Sequence, residues 1–224
     1  MEKFLDTVRN HMERLRVSWG SKAGRLQEEM DIGEAEFDAI FGTVSTQTIG
    51  EYGTGKIDAE TFVSRIGTTL RIGLNVMDLI ESIITNYNSD PHFADMISGG
   101  EVVTDSTGEE LVPSTLSSDH DWIDSVMTEP MIFKTPEEVK EIELLADKID
   151  ERIFKMRFNI KKLAEFNGSG HKGLYEAYMR ELKDNEEQIR EVCWLYFNEL
   201  KKLYGHAAKE GLCVLLFELE RDAE

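Results

Sequence analysis

Apolar positions recur at helical spacing along most of this chain. Phe4, Val8, Met12, Leu15 and Trp19 step by 4, 4, 3 and 4, which predicts a helix over 2–19 with Lys3, Arg9, Arg14 and Arg16 on its other face. Phe37, Ile40, Phe41 and Val44 predict a shorter helix over 34–46, ended by Gly50, Gly53 and Gly55. The third and most apolar stretch, 59–87, carries two stripes. One is Val63, Ile66, Leu70, Leu74, Met77, Ile80, Ile84 and Tyr87; the other is Ile72, Val76, Leu79 and Ile83. Two stripes predict a helix buried on two faces, at the centre of the N-terminal part. Gly67 and Gly73 lie inside it and allow close helix approach, each at about 1 kcal/mol of propensity relative to Ala.

The pattern changes over 88–134, where Asn, Ser, Asp, Gly and Pro cluster. Within it, 101–113 reads as a short β-hairpin turning at Asp105–Gly108, followed by a helical turn over 121–127. Thr135-Pro136-Glu137-Glu138 is a strong helix start, with Thr135 as cap and Glu138 closing a capping box. From there Val139, Ile142, Ala146, Ile149, Ile153, Met156, Ile160 and Leu163 alternate steps of 3 and 4, a coiled-coil-like seam stopped by Asn167–Gly170. A second long helix over 172–204 holds the same register through Tyr175, Tyr178, Leu182, Ile189, Val192, Tyr196 and Leu203. Its segment 192–197 (VCWLYF) is apolar all round and must touch a third element, for which the apolar tail 212–219 is the candidate.

These elements predict an all-α fold in three parts: a helical bundle over 1–88, an irregular acidic insertion over 89–134, and an antiparallel helical hairpin over 135–224. No apolar run is long enough to span a bilayer, and the N-terminus fits neither a secretory signal nor a transit peptide. Cys193 and Cys213 stand in apolar context and read as buried free thiols. The expected location is the cytoplasm, or a virion or host cytoplasm for a virus-encoded chain.

Charge adds what the pattern does not. Residues 27–147 hold 26 Asp/Glu against 5 Lys/Arg, a net of −21. Residues 1–26 are net +3 and residues 148–224 net −1. A surface so acidic repels nucleic acid and attracts basic surfaces, including the nucleic-acid clefts of other proteins. The stretch 148–172 is locally basic, with Lys148, Arg152, Lys155, Arg157, Lys161, Lys162 and Lys172 against three acids.

Motif-level chemistry does not reach a catalytic, cofactor or metal assignment. Gly50–Thr61 resembles an EF-hand calcium loop, with Gly55 at the sixth position and Ile57 at the eighth. Its ligand positions one, three, five and twelve, however, are Gly50, Tyr52, Thr54 and Thr61, without the carboxylates calcium needs. Gly168–Gly173 matches GxGxxG but follows a helix, not the strand a dinucleotide site requires. Glu138-x-x-Glu141 and Glu181-x-x-Asp184 resemble the paired acids of all-α nucleotide pyrophosphatases, yet the seam register turns all four outward. His11, His92, His120, His171 and His206 have no metal-ligand spacing, and His120-Asp121 sits in an acidic loop-like stretch.

The expected function is therefore non-enzymatic: an acidic protein-interaction or assembly protein, an adaptor or a component of a larger complex. Its partner would carry a basic surface, and no cofactor or membrane is implied. Self-association would run through Val139, Ile142, Ile149, Ile153, Met156, Ile160 and Leu163. The candidate interaction residues are the basic Lys148, Arg152, Lys155, Arg157, Lys161 and Lys162 and the acidic Glu101, Asp105, Glu109, Glu110, Asp119, Asp121 and Asp124. One alternative is an inhibitor that mimics nucleic acid. The other is a magnesium-dependent all-α nucleotide hydrolase using Glu138, Glu141, Glu181 and Asp184.

Overall fold

The computed structural model describes residues 37–87, 96, 99–110, 131–158 and 186–220. In chain order the elements are β1 (Phe37–Val44), α1 (Thr46–Gly53), α2 (Ala59–Ser64), β2 (Thr69–Gly73), α3 (Leu74–Tyr87), β3 (Glu101–Val102), β4 (Ile132–Lys134), α4 (Pro136–Ala146), α5 (Glu151–Arg157), α6 (Glu186–Glu210) and β5 (Cys213–Glu220). The strands form one antiparallel sheet in the order β2-β1-β5-β4-β3. The all-α expectation is thus overturned: the fold is a sheet with helices.

The correction begins at β1. Its sequence FDAIFGTV satisfies helical spacing, but it also alternates. Ala39 and Phe41 enter one core, Ile40 and Val44 the other. Full-length pairing with β5, from Phe37↔Glu220 to Val44↔Cys213, decides between the two periods. β5 is the tail expected to pack on α6. As a central strand covered on both faces, it is buried continuously from Cys213 to Phe217, which explains why it reads as an unbroken apolar run.

The long helix expected over 59–87 is three elements. α2 ends at Ser64, and the chain turns so that Gly67 N–H donates to Thr43 O at 2.7 Å. A Cβ at Gly67 would lie 2.7 Å from Thr43 Oγ1, so this close approach needs glycine. Leu70 and Ile72 then alternate into the sheet, and helical period resumes only in α3.

The expected coiled-coil seam and helical hairpin also fail. α4 begins as read, with Thr135 and Glu138 forming the reciprocal capping box. It ends at Ala146, however, and Asp150 caps a separate α5 by accepting from Ile153 N–H at 2.7 Å. Across that break the inward register changes. Val139, Ile142, Ala146 and Ile149 are buried, but Phe154 and Phe158 then take the buried positions, while Ile153 is half-buried at the core's edge and Met156 is 64% exposed. Val139, Ile142 and Ile149 face the chain's own core, while Ile160 and Leu163 lie outside the described residues.

Among the described residues, two cores flank the sheet. The larger joins Ala39, Phe41, Leu70, Ile72, Val214 and Leu216 to α3, α4, α5 and α6. α6 is about 37 Å long at 1.5 Å per residue and packs on α4, α3 and α5. Within this core Phe154 stacks on Phe197 with centroids 5.0 Å apart, and Tyr204 OH donates to Met96 O at 2.6 Å. The smaller core sets Ile40, Val44, Leu215 and Phe217 against Tyr52, Phe62, Val63 and Ile66, with Val103 and Met131. Lys134 pairs in register with Val214, which places it on the larger-core side at 1% exposed, and the residue has a further interaction within the chain. No helix among the described residues is long and apolar enough to cross a membrane.

Candidate functional site

Among the described residues, two segments distant in sequence lie over the smaller core. α1 starts at Ser45, whose Oγ accepts from Thr48 N–H at 3.1 Å. α2 starts at Asp58, whose Oδ1 accepts from Thr61 N–H at 2.8 Å. Between them the chain turns through Gly55 at φ +67, a left-handed conformation that favours glycine. Tyr52 and Phe62, with ring centroids 4.8 Å apart, fasten the two short helices to the sheet. The stretch that resembles a calcium loop is therefore a helix end, a turn and a cap, with Asp58 engaged as the cap.

The second segment is the turn at Asp105. Asp105 Oδ1 accepts from Thr107 N–H at 2.7 Å, Thr107 Oγ1–H at 2.6 Å and Glu109 N–H at 3.0 Å. A backbone bond from Asp105 N–H to Glu109 O and a bridge between Thr104 and Glu110 close the loop. Val103 N–H donates to Met131 O at 2.8 Å, hanging the turn from the sheet. Its tip meets the α1–α2 loop: a Cβ at Gly55 would lie 3.4 Å from Ser106 Oγ, and one at Gly53 would lie 3.9 Å from Thr104 O.

Together the two segments carry Glu51, Asp58, Glu60, Glu101, Asp105, Glu109 and Glu110 against Lys56 and Arg65. In three of these acids hydrogen bonds favour the ionised form. Glu51 is held below the usual carboxylate range by Gln47 and then by Arg65, whose guanidinium is 2.5 Å away. Asp58 is lowered by hydrogen bonds from the Thr61 side chain and backbone, and Asp105 likewise by Thr107. Tyr52 moves the other way: burial, then the Asp105 charge, pushes its hydroxyl up. Glu60, Glu101, Glu109 and Glu110 are exposed. No group of His, Cys, Asp and Glu among the described residues is arranged to hold a metal ion.

The remaining sequence-derived candidates are scattered. Lys148, Arg152 and Arg157 are exposed on or beside α5. Lys155 bridges Glu151 at 2.6 Å and Glu191 at 2.5 Å; burial lowers its affinity for the proton, but the two carboxylates outweigh this and raise it. α5 belongs to the larger core, on the opposite side of the sheet from the acidic surface. Lys161, Lys162, Asp119, Asp121 and Asp124 lie outside the described residues, as do Glu181 and Asp184. Glu138 is held in the α4 cap and Glu141 is exposed. Sequence reading missed Glu51, Asp58 and Glu60 as members of the acidic surface. Ser45 and Asp58 are residue types that cap helices and mark where α1 and α2 begin, but nothing local in the sequence joins these acids to the Asp105 turn.

A family model described as a domain of unknown function (DUF1877) matches residues 78–217, more than half of the chain. The match begins within α3, includes the Asp105 turn and ends within β5, and it does not reach β1, α1, α2 or β2. No curated protein matches the chain. Among solved structures, a protein of unknown function, YfbM from Escherichia coli, is similar with a TM-score of 0.51 and 13% identity, over 81% of this chain and 99% of that one. That likeness is one of fold, and it agrees with a sheet-containing architecture.

Proposed function

We propose that this chain, which belongs to the DUF1877 family, is a non-enzymatic interaction protein that binds the basic surface of a partner protein through the acidic face formed by α1, α2 and the Asp105 turn. The observation that carries this reading is the seating of the turn on the Gly53–Gly55 loop. It joins two acidic segments into one surface whose Glu51, Asp58 and Asp105 carboxylates are already oriented by hydrogen bonds. Carboxylates ordered before binding lose less conformational freedom on docking, and a field of one sign speeds encounter with an oppositely charged surface.

The test is retention of a partner from native extract by the wild-type chain and by Glu101→Lys/Glu109→Lys/Glu110→Lys, at about 0.1 M and about 0.5 M salt. The wild type should retain a basic protein at the lower salt and release it at the higher. The triple variant, shown by circular dichroism to be folded, should retain none. A partner held equally by both chains would sink the proposal. If the retained protein binds nucleic acid, competition by that nucleic acid would favour mimicry over simple docking.

A further inference from the structure

We draw no further inference here: the strongest candidate, Lys134, buried on the helix-covered side of β4, is a residue already engaged within the chain, and nothing among the described residues points from it to a ligand.

Discussion

The two sides of the sheet divide the work of the molecule. On one side α3, α4, α5 and α6 bury Phe154, Phe197 and Tyr204 completely. On the other, α1 and α2, of 8 and 6 residues, and a hydrogen-bonded turn cover a smaller core. The long helices α3 and α6, with wide apolar faces, gain stability from burial. Short helices gain little on their own and depend on caps and on the sheet beneath them. The helix-covered side and the acidic side nevertheless share one set of strands, and residue parity along β1 and β5 assigns each side chain to one or the other.

The largest effect should come from breaking the helix side. Phe197→Ala removes a ring packed against both Phe154 and Trp194, and should cost about 4 kcal/mol, read as a shift of the urea midpoint. Phe62→Ala on the other side should cost about 3 kcal/mol, because short α1 and α2 can settle into the space left by the ring. An equal or larger loss at Phe62 would reverse the ranking of the two sides.

A built-in reporter sharpens the same contrast. Each core holds one buried free thiol, Cys193 on the inner face of α6 and Cys213 on β5 facing the smaller core, and burial pushes both thiols up. Under native conditions a thiol reagent should modify Cys213 at least about tenfold faster than Cys193, the factor matching ~1.4 kcal/mol less opening cost. Equal rates, read by peptide mass spectrometry, would mean the two cores open together. Thr135→Ala removes the α4 capping box and should cost about 1 kcal/mol, read as a shift of the urea midpoint.

The smallest effect concerns pH. Hydrogen bonds from Thr107 and Glu109 hold the Asp105 carboxyl below its ordinary range. An acid with a lowered folded value stabilises the fold above its unfolded value and loses that contribution as pH falls through the folded one. The urea midpoints of the wild type and Asp105→Asn should therefore differ above the ordinary aspartate range and converge below it. A difference independent of pH would assign the effect to shape, not to ionisation.

The parts legible in the sequence were those decided locally. The Thr135 cap, the start of α4 and the need of α6 for an apolar partner all depend on residues within a few positions of each other. The parts that were not legible were decided by distant pairing. FDAIFGTV fits both periods and becomes a strand only because β5 lies beside it. TLRIG runs into α3 with only Gly73 between the two periods, so the apolar count continues through a change of structure. The seam over 139–163 counts correctly as heptads, yet Asp150 binds the backbone as a cap and shifts the inward face of α5. The acidic character of the candidate site was visible in composition. Its assembly from two separate segments depended on a turn–loop contact that no spacing encodes.

The pairing of β1 with β5 also sets a clock during biosynthesis. Val44 meets Cys213, a partner the ribosome adds about 170 residues later. At roughly 5–20 residues per second, that interval is on the order of 10–30 s. Throughout it, Ile40, Phe41 and Val44 have no finished sheet to enter, so the nascent chain presents a sticky segment that must be shielded by chaperones or held in transient contacts until the central strand arrives.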